Sequence, residues 1–277
     1  MGRYGKNIME NESDMVNVIV LLSPLILSLF SQLYIRLGCK VTNYVGEETP
    51  YSLGGSMFFF VFYYVYILNL DLGLATIFYI VVLWLTGLID DRFGTKYPKG
   101  LKGHIDLFIR SRKISTGLLK LVGTFVAACL LVVVDVPVFP LGILNFIVIF
   151  SLLILTPHVM NLFDTRPLRV WKIVFLHGVM FWSLLLQMPF HFIVGLLFVL
   201  ITFIYFEATR KAMLGDNGAT LLGGVVSLLM IYHLSLPIQA VICLFYLFIV
   251  VVTEKISLSK WIEARPVLKW IDRWGVS

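Results

Sequence analysis

The stretch LTGLIDDRFG (85–94) sets Asp90 and Asp91 side by side at the end of a long, almost wholly apolar run. Two further carboxylates stand at comparable points, Asp164 in HVMNLFDTRPLRV and Asp216 in MLGDNGATLLGG. Consecutive helical residues project about 100° apart, so Asp90 and Asp91 cannot face one way and can serve different groups. One suits a divalent ion, the other a substrate proton or a basic neighbour. Asp216 reads as a residue near a helix N-terminus, where a carboxylate meets unpaired backbone donors. Gly215 and Gly218 beside it let backbone approach a ligand closely. Hard oxygen ligands next to basic side chains are what a magnesium-bound diphosphate requires, because magnesium keeps few protein ligands and takes the rest from phosphate and water.

The elements that must position these residues follow from composition. The chain has 277 residues, 59% hydrophobic and only 14% charged, with a mean hydropathy of +0.93. Soluble domains average about 45–50% apolar and about 25% charged, so the solvent of this chain is lipid. Backbone groups in lipid must bond internally, and about 20 residues of helix cross the hydrocarbon. The expected fold is therefore all-α, a polytopic transmembrane bundle of about nine spans near 15–35, 54–70, 72–90, 114–134, 139–159, 170–187, 189–206, 217–235 and 237–254. A polar tail (1–14) precedes a single catalytic bundle (15–254), and an amphipathic tail (255–277) follows it. The first span reads as uncleaved, for no small-residue cleavage site follows it. Cys39, Cys129 and Cys243 are scattered, without a CxxC spacing, and read as free thiols.

Charge orients the bundle. Lys and Arg gather in alternate loops, around 36–40, 92–113, 166–172, 210–211 and 255–273, while the short loops near 71, 136, 188 and 236 contain neither. Positive charge stays cytoplasmic, which puts the N-terminus outside and the C-terminus inside. The net charge of +6 is this one-sided belt. Its partners are anionic lipid or phosphate rather than nucleic acid, since no basic domain stands apart from the membrane. HIDLFIRSRK (104–113) and the tail, with Trp261, Trp270 and Trp274, have the character of helices lying in the interface. Asp71 and Asp135 fall on the opposite side and read as solvated turn residues.

Taken singly, the acidic motifs have plain explanations: a DD at a helix end as a stop signal, GDNG as a capped turn, Asp164 with Arg166 and Arg169 as an ion-pair cluster. Three such clusters on one face, each at a span boundary, favour function, because ionisable groups at the membrane edge are expensive unless paired or used. At these residues the sequence resembles the polyprenyl-phosphate N-acetylhexosamine-1-phosphate transferases, the family of the phospho-MurNAc-pentapeptide transferase and of enzymes that load GlcNAc-1-phosphate on a lipid carrier. ETPYSLGG (48–55) resembles its first cytoplasmic loop and GLIDDRFG its paired aspartates. STGLLKLVG places Lys120 where the family has a lysine, NLFDTRP resembles half of its nucleotide loop, and LGDNGATLLGG resembles its Gly-Asp stretch.

The resemblance implies a bacterial plasma-membrane enzyme of cell-envelope polysaccharide synthesis. It would transfer a sugar 1-phosphate from a UDP-sugar to polyprenyl (undecaprenyl) phosphate, with magnesium, and release UMP. Carried over, Asp216 matches the principal metal ligand, Asp91 supports the metal, and Asp90 is the candidate base. Asn161 and Asp164 match the nucleotide-sugar loop. Arg166, Arg169, Lys102 and Lys120 would contact phosphates, with Gly215 and Asn217 lining the substrate. A homodimer is the partner state the sequence leaves open. The pattern departs from the family at Pro167, where its loop has a second Asp, at His158, at Phe206, at Glu47 and Glu48, and in lacking its histidine cluster. These departures carry the competing expectation, a non-catalytic descendant that binds lipid-linked sugar or scaffolds envelope enzymes.

Overall fold

The computed structural model describes residues 18–43, 45–95, 100–136 and 142–275. Among the described residues, each apolar run singled out above is mainly helical. In chain order the long helices are α1 (Ser23–Arg36), α2 (Leu53–Ile67), α3 (Leu74–Phe93), α4 (Gly100–Ser111), α5 (Thr116–Val134) and α6 (Ile143–Phe163). They are followed by α7 (Arg169–Met180), the single turn α8 (Trp182–Leu185), α9 (Phe190–Ala208), α10 (Gly215–His233) and α11 (Leu236–Thr253). Two short tail helices close the chain, α12 (Leu258–Glu263) and α13 (Pro266–Arg273). The non-helical exception is a small antiparallel hairpin, β1 (Lys40–Thr42) against β2 (Glu48–Pro50), with Val41 opposite Thr49.

Among the described residues, α3, α5, α6, α9 and α11 are long and apolar enough to cross a membrane. Their outer faces are apolar too: on α11, Val241, Leu244 and Phe248 are exposed while Ile242 and Tyr246 turn inward. An apolar exterior of this kind is matched to hydrocarbon. The stretch expected as one span over 170–187 is broken into α7 and α8, because the Phe181 N–H is shared between the His177 and Gly178 carbonyls and tightens the last turn.

The centre of the bundle is α10, which packs against α2, α3 and α6. Polar side chains pin these contacts inside the core. Tyr79 donates its hydroxyl to the Leu153 carbonyl at 2.6 Å and lies 3.1 Å from Ser227 Oγ. Thr220 donates to the Leu83 carbonyl at 3.1 Å, which ties α10 to α3. With no hydrophobic drive between helices in lipid, close packing supplies the attraction, and small residues permit it. Gly87 is the sharpest case: a Cβ built there would stand 2.6 Å from both Asn217 Cα and the Asp216 carbonyl.

At the lysine-free end of the bundle, Asp135 does not behave as a solvated turn residue. Its carboxylate accepts the Thr76 N–H at 2.7 Å and the Thr76 hydroxyl at 2.8 Å. This carboxylate caps α3 from a distance of 59 residues in sequence. No local pattern around Asp135 marks that partner, which is why the sequence suggested a turn.

Gly87→Ala should destabilise the bundle by about 3 kcal/mol, the upper part of the overpacking range, since neither contacted backbone can rotate away. Gly178 has nothing within 4 Å of an added Cβ, so Gly178→Ala should leave stability unchanged or raise it by up to about 1 kcal/mol. Melting in detergent, followed by the loss of the monodisperse peak, checks both.

Candidate functional site

The C-terminal ends of α3 and α6 and the N-terminal ends of α5 and α10 meet at the basic end of the bundle. Asp91, at the end of α3, reaches the first turn of α10, 125 residues further on. Its Oδ1 accepts the Asp216 N–H at 2.9 Å, and its Oδ2 accepts the Asn217 N–H at 2.9 Å and Asn217 Nδ2 at 2.6 Å. Those backbone donors are the ones a helix start leaves unpaired. Gly215, at φ +66°, sets this start, and a Cβ there would stand 2.8 Å from Asp91 Oδ2. Asn217 also donates to the Tyr51 carbonyl at 3.1 Å, which ties the segment after β2 to the same point.

Asp90 points elsewhere, as adjacent helical residues must. Its Oδ2 lies 2.7 Å from Lys120 Nζ, and the same ammonium is ion-paired with Asp216 Oδ2. Asn161, near the end of α6, has its amide oriented to donate to Asp216 Oδ1 at 2.9 Å and to accept from Lys120 Nζ at 3.1 Å. The Lys120 side chain is only 14% exposed, whereas that of Asp216 is 31% exposed. Three carboxylates against one ammonium leave a formal surplus of two negative charges. The partial positive end of α10 offsets part of it at Asp91.

Beside this cluster, a cleft of about 60 Å³ is lined by Thr49, Asp164, Arg166, Glu207 and Arg210. Glu207 is buried within α9 and accepts Trp171 Nε1 and, at 3.3 Å, the Leu168 N–H. Burial raises the Asp164 carboxyl well above its ordinary pKa, and the negative charges of Glu207, Asp216 and Asp91 add to the shift while Lys120 opposes it. Glu207 was not singled out from sequence. The signal is present, a lone acid closing the apolar run of α9 in YFEATR.

The structure thus gathers Asp90, Asp91, Asp216, Lys120, Asn161, Asn217 and Gly215 at one point, with Asp164 lining the adjoining cleft. It separates the arginines from that point. Arg169, expected at a phosphate, is buried and forks onto Asp272, Nε to Oδ1 at 2.5 Å and Nη2 to Oδ2 at 2.9 Å. Arg166 lines the cleft but is ion-paired with Glu263 and, at 3.5 Å, with Asp272. Burial alone would raise the Asp272 pKa, yet Arg169 first, then Arg166 and Lys172, hold it below the usual value. Lys102 belongs to α4, and its side chain lies outside the described residues.

Three N–H groups are directed at the two oxygens of Asp91, which position the start of α10. Among the described residues, no set of three or more His, Cys, Asp or Glu side chains is arranged around an ion site. Magnesium needs only one or two protein carboxylates, and Asp90 and Asp216 are the pair that can offer hard oxygens, with the Lys120 ammonium between them. No protein-family model, characterised protein or solved structure matches the chain.

Two outcomes follow. Asp91→Ala strips the partner from two backbone donors at about 1–3 kcal/mol each and leaves Asn217 Nδ2 with the Tyr51 carbonyl alone, so it should lower the melting temperature far more than Asp90→Asn does. The Asp164 pKa is raised on folding, so its ionised form opposes folding once pH exceeds the unfolded carboxyl value of about 4. Asp164→Asn should therefore melt a few degrees above the parent at pH 8, with the difference vanishing toward pH 4. Thermal scans of both variants across pH check these signs.

Proposed function

We propose that the chain is a magnesium-dependent sugar-1-phosphate transferase that moves the sugar phosphate of a UDP-sugar onto polyprenyl phosphate and releases UMP. In this reading the basic end of the bundle is cytoplasmic, the chain crosses the bacterial plasma membrane nine times, and the N-terminus lies outside. The observation that carries the proposal is the meeting of Asp90, Asp216, Lys120 and Asn161, drawn from four helices, at a hydrocarbon rim where unpaired charge is expensive. The order of the matching motifs along the chain supports it independently.

In the reaction, an oxygen of the lipid phosphate bonds to the sugar-bearing phosphorus, and the bond from that phosphorus to the bridging oxygen breaks as UMP leaves. Phosphoryl transfer of this kind depends mainly on positioning and charge neutralisation. Magnesium, when bound, neutralises diphosphate charge, and Asp216 and Asp90 would hold it. Lys120 would release its carboxylates and turn its ammonium to phosphate oxygens, a move that a single side chain with freely rotating donors can make. Asn161 would keep Asp216 oriented, and Asp91 would hold the first turn of α10 in place. Asp164 and the cleft beside it would take part of the nucleotide sugar.

A second reading, a binding or scaffolding descendant without turnover, draws on a specific observation: Arg166 and Arg169 are tied to the tail rather than turned to the cluster.

Purified full-length protein with undecaprenyl phosphate, magnesium and a panel of UDP-sugars should release UMP from at least one donor. Asp216→Asn and Lys120→Met should each reduce turnover by about 10²-fold or more. Full activity in the Asp216→Asn enzyme would refute the site, and lipid-phosphate binding without turnover on any donor would favour the second reading.

A further inference from the structure

The tail helix α13 is amphipathic in the opposite sense to a soluble surface helix. Val267, Trp270, Ile271 and Trp274 recur at the i, i+3, i+4, i+7 spacing and are all exposed, between 41% and 71%. Asp272, on the other side, is buried. A soluble helix turns its apolar stripe to the core. Here the core-facing side is the charged one, held by the Arg169 fork, by Arg166, and by Lys172 donating to the Ile271 and Asp272 carbonyls at 2.8 Å each.

The occupant of the apolar stripe follows from where the helix sits. It is docked on residues immediately after the end of α6, and it begins a short segment after the end of α11. Both helices have the length and composition of spans, so α13 lies at the depth where hydrocarbon gives way to headgroups. Tryptophan is the residue type suited to that depth. Lys269 and Arg273 alternate with the stripe, Arg265 stacks on Trp261 at 4.0 Å, and Lys255 and Lys260 stand nearby in sequence. Basic side chains beside an apolar face match an anionic lipid surface.

What the inner face holds is the turn that lines the cleft. Leu168 is buried with φ +65°, a left-handed conformation costing roughly 1–3 kcal/mol for a side-chain-bearing residue. Such a residue persists only when its surroundings over-determine it. Glu207 grips its N–H from the bundle side. On the tail side, Thr165 Oγ1 lies 3.2 Å from Ser259 Oγ, Arg169 Nη1 donates to both Thr165 and Ser259, and a Cβ at Gly275 would stand 3.2 Å from Leu168 Cδ1.

The geometry points to a membrane-interface strap: the stripe Val267, Trp270, Ile271 and Trp274 seats in an anionic lipid surface, and the opposite face of the same helix holds the 164–169 turn against the cleft. The strap binds lipid headgroups, not substrate, and stands whether or not the transferase reading does.

The test uses the full chain in nanodiscs and needs no turnover. With brominated phosphatidylglycerol present, the tryptophan emission of the parent should be quenched by a larger fraction than that of Trp270→Phe/Trp274→Phe. The difference should shrink in brominated phosphatidylcholine alone. Amide exchange over 164–172 should rise at least 10-fold in Trp270→Ser/Trp274→Ser while exchange in α3 and α10 is unchanged. Equal quenching of parent and Phe variant, quenching of the tail tryptophans by aqueous iodide, or indifference to the anionic lipid would overturn the lipid contact. Unchanged exchange over 164–172 would overturn the coupling. Protection of the stripe that appears only with two copies per disc would replace lipid with a second chain and sink the proposal. The Phe variant keeps the quenching test decisive if the Ser variant does not fold.

Discussion

A carboxylate withdrawn from water at the edge of a bilayer must find donors inside the protein, and Asp91 finds them on the first turn of α10. The rest of the structure depends on that arrangement. Two of these hydrogen bonds satisfy backbone groups that the helix start leaves open and the third holds the Asn217 amide; together they fix where α10 begins and bring α3 so near that glycine alone fits at position 87. Asp216 is then placed by its backbone N–H, and its own carboxylate is turned to Lys120 and Asn161.

The division between Asp90 and Asp91 shows what a sequence can and cannot carry. That the two can act on different groups is legible from helical geometry alone. Which takes which is not, because it depends on helices remote in the chain: α10 approaches one carboxylate and Lys120 of α5 the other. The helices themselves were legible because lipid makes apolar length nearly sufficient. The break at Phe181 was not, since α7 and α8 are both apolar and the fault lies in how one N–H is shared. Charge was readable as a belt but not as pairs. Arg166 and Arg169 looked like phosphate ligands beside Asp164, and only the return of the tail across them reveals Asp272 and Glu263 as their partners. Asp135 was misread for the same reason. Its task, capping α3, is set by Thr76, far away in sequence.

The two arms of the site differ in how they are held. The Asp91–Asn217–Tyr51 network joins α3, α10 and the segment after β2 through the fully buried Asn217 side chain. Asp164 and the cleft belong to a short turn containing a left-handed leucine, gripped by Glu207 below and by the tail above. Burial and neighbouring carboxylates make Asp164 an unfavourable place for negative charge. Natural proteins retain such positions where function requires them, at the expense of stability. In a bundle otherwise built by close packing, this carboxylate lines the small cleft beside the cluster.

The charge balance explains why Lys120 is central to both readings of the protein. Without a cationic ligand, the ammonium is what allows Asp90 and Asp216 to face each other at a low-dielectric rim, and removing it would leave like charges in contact. A lysine that neutralises a site in this way also guards it, since a divalent cation must displace the ammonium from at least one carboxylate before it can bind. Displacement costs least if the ammonium has another anion to meet, and a phosphate arriving with the cation is such an anion. An ammonium held between two carboxylates is thus displaced at least cost by a ligand that carries charge of both signs. Of the pair, the Asp216 side chain is 31% exposed and that of Lys120 14%, so the carboxylate is the more accessible member.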